Sequence, residues 1–284
     1  MDHFKIFVNL TRLNKPIGYM LLFWPCSWGL AYAYKIANEL NIFLYYLFLF
    51  FLGSILMRSA GCIVNDIVDQ DLDKKVRRTK NRPLASGSIS NARAIIYSAI
   101  LCFISFFILI QFNFKTILLG LSSMILAFAY PFMKRFTYWP QLFLGLTFNW
   151  GMIMGYTAIL DQISIEIIIL YISAIFWTLG YDTIYGIQDV ADDEIIGVKS
   201  TAIKFKKNIK LFVSICYLIS SLLIIITFAN SIKINLSTLF IIMFILSLIY
   251  QLKIFNKDDP NTCLKAFKIN NFSGILLFIS LLIS

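Results

Sequence analysis

An apolar run near residue 60 ends in an amide and several carboxylates, whose spacing has a helical period. At about 100° per residue, one stripe of a helix carries Arg58, Cys62, Asn65, Asp69 and Asp73. Carboxylates at the end of a membrane-crossing helix are costly unless a positive charge compensates them. Mg²⁺ is the simplest compensation, because it takes oxygen ligands and usually shares them with phosphate. The stripe therefore predicts a magnesium site.

A second acidic cluster follows a later apolar run. Asp182, Asp189 and Asp193 share one helical stripe, while Asp192 and Glu194 flank it. The off-stripe acids, Asp192 and Glu194 here and Asp71 in the first cluster, are expected to be solvent-exposed. Asp69 and Asp189 are separated by the same number of residues as Asp73 and Asp193. This equal spacing suggests a duplicated helical unit with motifs at 65–73 and 182–193.

Two carboxylate stripes that face each other would repel strongly in a low-dielectric environment. Bound cations remove this repulsion, and basic residues follow both clusters in the sequence. Lys134 and Arg135 add positive charge at the end of another apolar run. This combination favours a Mg²⁺-bound diphosphate over a metal ion alone.

The composition indicates a polytopic membrane protein. Hydrophobic residues make up 59% of the 284-residue chain, charged residues 14%, and the mean hydropathy is +0.79, whereas soluble domains carry about 25% charged residues. The net charge of +10 could suggest nucleic acid, but Lys and Arg follow loop positions, so no nucleic-acid partner is expected. Five cysteines without paired spacing and the single His3 argue against a disulfide framework, a zinc site or histidine catalysis.

The apolar runs predict an all-α bundle of nine transmembrane helices in a single domain over residues 1–284. Of the 25 Lys and Arg residues, only Lys35, Lys115 and Lys233 fall in outer loops if the N-terminus is inside, with Arg58 within the membrane. The predicted spans are about Pro16–Tyr34, Ile42–Asn65, Ala92–Gln111, Thr116–Met133, Gln141–Leu160, Ile163–Gln188, Ile209–Ala229, Leu236–Ile254 and Phe267–Ser284.

Four blocks of the sequence resemble the UbiA superfamily of intramembrane prenyltransferases. They are RLNKPIGYMLLFWPCSWGL at 12–30, the stretch 57–90 with NDIVDQDLD and RTKNRPLASGSIS, YPFMKRFTYWPQ at 130–141, and YDTIYGIQDVADDEIIGVKSTA at 181–202. The resemblance implies nine helices around a polar active-site cavity on the cytoplasmic side, with a lateral opening for an isoprenoid tail. It covers roughly the first two-thirds of the chain.

The same resemblance implies roles for individual residues. Mg²⁺ ligands are expected at Asn65, Asp69, Asp73, Asp189 and Asp193. Diphosphate contacts are expected from Arg77, Arg82, Lys134, Arg135 and Lys199. The implied reaction is a Mg²⁺-dependent transfer of a polyprenyl group from polyprenyl diphosphate to the ring of 4-hydroxybenzoate, ortho to the hydroxyl, in ubiquinone biosynthesis.

Three further residues are candidates for catalytic roles in that reaction. Arg58 could bind the substrate carboxylate, although an ion pair with an aspartate of the second stripe is an equal alternative. Asp66 or Asp182 could remove the ring proton. The aromatic faces of Tyr156, Tyr181 and Tyr185 could flank a carbocation, but a lipid-facing position or core packing is the preferred interpretation for each of them.

Three alternatives remain open from the sequence. One is a structural or scaffold membrane protein, which would leave the paired acidic stripes unexplained. Another superfamily member, acting on homogentisate, a naphthoate or a glycerol phosphate, would share the metal motifs and differ in its acceptor pocket. A secondary transporter could also carry intramembrane carboxylates, but its site is expected near the midplane at broken helices. The absence of a transit peptide favours a bacterial inner membrane, with a cytoplasmic N-terminus and membrane lipid as the surroundings.

Overall fold

A computed structural model describes residues 3–228 and 235–284, and in these ranges it contains helices and turns but no β-strand. Nine of the helices have 19 residues or more, and four are short. The helices are α1 (His3–Thr11), α2 (Ile17–Ala37), α3 (Leu40–Val68), α4 (Gln70–Asp73), α5 (Asn91–Leu109), α6 (Phe114–Phe136), α7 (Pro140–Leu160), α8 (Ile165–Gly186), α9 (Val190–Ile196), α10 (Thr201–Lys204), α11 (Ile209–Phe228), α12 (Leu236–Ile254) and α13 (Pro260–Leu282).

The chain is a multi-pass membrane protein. Eight helices in the described ranges are long and apolar enough to cross a membrane. The long helix outside this group is α2, whose Trp, Tyr, Gly, Ser and Pro residues give it a weaker apolar character although much of it is buried. Each of the nine predicted spans overlaps one of the nine long helices. Ala229, the predicted end of one span, and Lys233 lie outside the described residues.

Helix α2 lies inside the bundle and packs against α3, α7 and α13. Its approach to α7 depends on glycine. A Cβ built on Gly29 would lie 2.0 Å from the Met152 carbonyl oxygen, and one built on Gly155 would lie 2.5 Å from the Cys26 carbonyl oxygen. Small residues at such contacts bring helix backbones together, which is the usual route to tight packing where lipid removes the hydrophobic driving force.

A buried hydrogen-bond network joins the helices of the C-terminal half. The Tyr217 hydroxyl donates to Gln251 Oε1 at 2.7 Å, and Trp177 Nε1 donates to Asn270 Oδ1 at 2.8 Å. Asn270 Nδ2 in turn donates to Gln251 Oε1 at 2.9 Å. These bonds connect α8, α11, α12 and α13. Hydrogen bonds between helices add to the packing that holds a bundle together in a membrane.

Two long helices break at matching aspartates. Helix α3 ends at Val68 and the short α4 follows, with Asp69 between them at φ −95°, ψ 4°. Helix α8 passes into a 3₁₀ turn (Ile187–Asp189) and then α9, with Asp189 at φ −108°, ψ −5°. Both residues therefore occupy the same sparsely populated backbone region. The straight helical stripes assumed from the sequence are wrong at these points, because each helix is interrupted at its aspartate.

Candidate active site

The two acidic clusters meet at one cavity of about 190 Å³ at one end of the bundle. All five predicted metal ligands line it, so the helix ends that are far apart in the sequence face a common space. The polar residues of its lining are Asn65, Asp69, Asp73, Arg78, Thr79, Arg82, Tyr130, Lys134, Asp189 and Asp193.

Asp69 is the most buried carboxylate of the cavity, with a side chain only 1% exposed. Its Oδ2 accepts a hydrogen bond from Asn65 Nδ2 at 2.9 Å and forms an ion pair with Lys134 Nζ. Burial raises the pKa of the Asp69 carboxyl, and the positive charge of Lys134 opposes this rise. The second oxygen, Oδ1, is buried without a hydrogen-bond partner, and the Arg135 guanidinium lies 4.0 Å away from it.

Two further carboxylates of the cavity carry arginine partners from the loop after α4. Asp73 Oδ2 accepts from Arg82 Nη1 at 2.8 Å. Arg78 donates two hydrogen bonds to Asp189, one of 2.7 Å to Oδ1 and one of 2.5 Å to Oδ2. It also donates to the Tyr185 hydroxyl at 3.1 Å. A bidentate pair of this kind fixes both orientation and position. The loop arginines thus connect the first cluster with the second across the cavity.

The donor set of the cavity fits a hard divalent cation. Within the described part of the chain, no group of three or more acidic, histidine or cysteine side chains is arranged to hold a metal ion, and Asp69, Asp73 and Asp189 are paired with basic side chains. The ligand types are nevertheless one amide and four carboxylates, all oxygen donors of the kind Mg²⁺ prefers. The unpartnered Asp69 Oδ1 is a free ligand atom within this set.

The structure distributes the five predicted diphosphate-binding residues unequally. Arg82 and Lys134 line the cavity, but Arg77, Arg135 and Lys199 are outside its lining. Arg135 donates to the Val68 carbonyl at 2.6 Å, and Lys199 donates to the Phe136 carbonyl at 3.3 Å. These two residues therefore tie chain segments together in this structure.

Arg78, and not the predicted Arg77, lines the cavity. Arg77 is exposed, and only its backbone N–H is engaged, donating to Asp192 Oδ2 at 3.2 Å. Nothing in the sequence distinguished the two neighbours, because the loop has no regular period from which a direction could be read. Thr79 was missed for the same reason.

Asp66 lies behind the cavity in a buried ion-pair network. Only 1% of this residue is exposed, and its Oδ1 is paired with the guanidinium groups of Arg12 and Arg82, the latter at 3.1 Å. This pairing argues against the predicted role of Asp66 as a free base. Arg12 was not predicted at the site; it reaches α3 from a left-handed turn after α1, with φ 57°.

Arg58 and Asp182, the other two catalytic candidates, lie outside the lining of the cavity. The Arg58 guanidinium lies 5.2 Å from the centre of the Phe148 ring. No acid among residues 3–228 and 235–284 approaches it within the 4.0 Å of an ion pair. A direct ion pair between Arg58 and an aspartate of the second stripe is therefore not formed, but Asp182 of that stripe interacts with Arg58 electrostatically over a longer distance.

Other polar and aromatic side chains near the clusters have ordinary structural surroundings. Asp71 is exposed and bonds Lys74 at 3.0 Å, and Glu194 is exposed and bonds Lys206 at 2.8 Å, as expected for off-stripe acids. Asp192, the third of these acids, is only partly exposed and accepts the Arg77 backbone N–H. Tyr181 is buried and packs edge-on against Trp177 and Phe267. This packing agrees with the preferred core interpretation of that tyrosine.

The fold and site define a multi-pass helical membrane protein with an oxygen-rich cavity that also carries basic side chains. Comparison with known families gives the class: residues 22–281 match the UbiA prenyltransferase family, and the chain belongs to that family. Membership decides between the enzyme and transporter alternatives in favour of a prenyltransferase.

Individual relatives support this assignment. The chain is 39% identical over 282 residues to the mitochondrial 4-hydroxybenzoate polyprenyltransferase of Drosophila melanogaster, covering 98% of this chain and 71% of the relative. It is 41% identical over 281 residues to the 4-hydroxybenzoate octaprenyltransferase of Psychromonas ingrahamii, covering 98% and 95%.

Solved structures show the same fold. A UbiA homolog from Aeropyrum pernix K1 superposes with a TM-score of 0.78 at 22% identity, covering 94% of this chain and 98% of the homolog. A UbiA homolog from Archaeoglobus fulgidus, bound to GPP and Mg²⁺, gives 0.73 at 19% identity, covering 98% and 100%.

We expect Asp66→Asn to destabilise the protein by about 2–4 kcal/mol, because it leaves a largely buried arginine without its counter-charge. The measurement is denaturant unfolding of the purified protein in micelles. Glu194→Gln is the matched control, since it breaks an exposed ion pair with Lys206 and should cost less than about 1 kcal/mol. Equal losses in the two variants would contradict a structural role for the Asp66 network.

Proposed function

We propose that this protein transfers a polyprenyl group from polyprenyl diphosphate to 4-hydroxybenzoate, ortho to the hydroxyl, and releases diphosphate in ubiquinone biosynthesis. The observation that carries the proposal is the meeting of two acidic clusters and three basic side chains, Arg78, Arg82 and Lys134, around one cavity. Curated relatives that match over 98% of this chain carry the names of 4-hydroxybenzoate prenyltransferases, which favours this acceptor over the other acceptors of the superfamily.

The proposed cofactor is Mg²⁺, held by the oxygens of the two clusters: Asn65, Asp69, Asp73, Asp189 and Asp193. When bound, Mg²⁺ stabilises the negative charge on the diphosphate as it departs. The unpartnered Asp69 Oδ1 supports the assignment, because a buried carboxylate oxygen without a donor is costly unless a ligand engages it.

The basic residues of the cavity are proposed to bind the diphosphate oxygens. Arg78, Arg82 and Lys134 are now paired with the carboxylates, so these cations are already held at the positions where the diphosphate charge would develop. Such preorganised charge is usually the largest contribution to catalysis. Arg77, Arg135 and Lys199 could contribute only if their side chains moved into the cavity.

The acceptor is proposed to bind deeper along α3 than the diphosphate. Arg58 lies about two turns before Asn65 on that helix. It forms no ion pair within 4.0 Å in the described part of the chain, so its guanidinium is available for the carboxylate of 4-hydroxybenzoate in a bidentate contact. As the allylic carbon–oxygen bond breaks, the electron-rich ring attacks the carbocation carbon. Asp182, on the facing helix α8, remains the proposed base for the ring proton.

We also propose the finer topology. All nine long helices would cross the membrane, with a cytoplasmic N-terminus and a cytoplasmic-side cavity in a bacterial inner membrane. The distribution of Lys and Arg supports this orientation. The chain would form a single domain built on a duplicated unit, and the matching helix breaks at Asp69 and Asp189 support the duplication.

Metal dependence and the two clusters can be tested together in membranes that contain the protein, radiolabelled 4-hydroxybenzoate and polyprenyl diphosphate. We expect activity with Mg²⁺ and none with EDTA. Asp69→Ala and Asp189→Ala should each lower kcat by at least about 100-fold while the protein remains in the membrane. Asp71→Ala is the matched control, because its carboxylate is exposed. EDTA-resistant product, or near-normal activity of either cavity variant, would refute the proposed site.

The neighbouring arginines provide a second test. Arg78→Gln should raise the KM for polyprenyl diphosphate and lower kcat/KM by about 10–100-fold, because one charge-assisted contact to the diphosphate is lost. Arg77→Gln should behave like the unmodified protein, since that side chain lies outside the cavity. Steady-state kinetics with varied polyprenyl diphosphate measures both. The reverse order of effects would show that Arg77, as the sequence first suggested, binds the diphosphate.

A further inference from the structure

The Arg58 guanidinium lies in a notch on α2 that exists because residue 18 is glycine. A Cβ built on Gly18 would lie 3.0 Å from Arg58 Nε, 3.7 Å from Nη2 and 3.8 Å from Cζ. The first of these distances is shorter than an ordinary van der Waals contact between such atoms. Any side chain at position 18 would therefore displace the guanidinium.

Packing, rather than an ion pair, holds Arg58 in place. Its guanidinium contacts the Gly18 notch and the face of Phe148, and the described residues offer it no carboxylate within 4.0 Å. A charged group inside a membrane bundle normally has a partner. The position of this charge is thus fixed by the shape around it. Asp182 on α8 interacts with the guanidinium electrostatically, but not within the 4.0 Å of an ion pair, so the donor groups of Arg58 remain open to a ligand.

We propose that Gly18 is a positioning residue that determines where Arg58 meets the carboxylate of the aromatic acceptor, and thereby the preference for carboxylated acceptors. This inference rests on the proposed role of Arg58 in acceptor binding. A bidentate guanidinium–carboxylate contact requires a defined plane and distance. A shift of a few tenths of an ångström is enough to weaken it, whereas the long arginine side chain can accommodate that shift without unfolding the protein.

The test is Gly18→Ala in the full-length protein in membranes. We expect the KM for 4-hydroxybenzoate to rise roughly tenfold. This change corresponds to the lower end of the free-energy range for one charge-assisted hydrogen bond. The KM for polyprenyl diphosphate and kcat should stay within about twofold of their original values. Gly61→Ala is the matched control, because a Cβ there meets nothing within 4 Å, and it should leave all three constants unchanged.

Arg58→Gln separates this inference from the proposed function. If Arg58→Gln raises the KM for 4-hydroxybenzoate but Gly18→Ala behaves like Gly61→Ala, the positioning role is refuted and the function stands. If Arg58→Gln leaves that KM unchanged, the acceptor assignment fails as well. A Gly18→Ala variant that loses affinity for both substrates equally would indicate a general structural defect and would also refute the inference.

A different observation carries a second proposal. A cavity separate from the candidate active site lies between the start of α11 and the end of α12, and four lysines line it: Lys207, Lys210, Lys253 and Lys257. No acidic side chain belongs to its lining. Among the described residues, none of these lysines has an ion-pair partner within 4.0 Å. Four uncompensated positive charges around one space favour an anion.

The surroundings of this cavity match an amphipathic anion better than a free one. Its lining includes the apolar residues Ile209, Leu211, Ile254 and Phe255. Leu211 begins an exposed apolar stripe that continues along α11 through Ile215, Leu218 and Leu222. A headgroup among the lysines could therefore be followed by an acyl chain along this stripe, since residues three and four apart share one helix face.

We infer that this cavity binds the phosphate of an anionic phospholipid. The test uses nanodiscs of phosphatidylcholine mixed with phosphatidylglycerol and counts the phosphatidylglycerol retained per protein by native mass spectrometry. Lys210→Gln with Lys253→Gln should weaken retention roughly 25-fold, at about fivefold per lysine. Lys265→Gln with Lys268→Gln is the matched control, because it removes the same charge from exposed positions of α13 outside the cavity.

Three outcomes would overturn this second inference. Equal losses in the two double variants would show general surface attraction rather than a site. Retention of phosphatidylcholine as strong as that of phosphatidylglycerol would remove the role of the charge. Calorimetric binding of inorganic phosphate to the detergent-solubilised protein, as tight as the lipid, would assign the cavity to a soluble phosphate.

Discussion

The repulsion between two sets of carboxylates is the constraint on which the rest of the structure depends. The packing of α3 against its neighbours and the course of α8 bring Asp69, Asp73, Asp189 and Asp193 around one cavity. In a low-dielectric environment this arrangement is unfavourable without cations. The chain supplies them from Lys134 at the end of α6 and from two arginines of the loop after α4.

The cations have a second consequence, because they connect distant parts of the chain. Arg78 joins the loop to α8, and Arg82 touches Asp73 in the cavity and Asp66 behind it. Arg12 extends this network to the N-terminal segment. The acidic site is therefore an electrostatic centre that orders the end of the bundle, and a bound ligand would compete with these internal ion pairs.

Away from the charges, the bundle is held by shape and by neutral hydrogen bonds. The close approach of α2 and α7 through Gly29 and Gly155 places α2 in the interior, and the Gln251–Asn270 pair joins the last helices. The glycines allow close packing, and the amide pair satisfies polar groups in the membrane without adding net charge. Since α2 also faces Arg58 at Gly18, the same small-residue packing that builds the scaffold reaches the proposed acceptor region.

The sequence by itself determined the helical spans and the chemical character of the site. Apolar runs of membrane length leave few alternatives to helices, and the helical period predicted that Asn65, Asp69 and Asp73 face the same side, where all three line the cavity. Only the tertiary structure decided between neighbours without such a period. It placed Arg78 rather than Arg77 in the cavity, paired Asp66 with Arg12, and broke the two helices at their aspartates. Loop directions and long-range ion pairs depend on packing between segments far apart in the chain, which local periodicity does not encode.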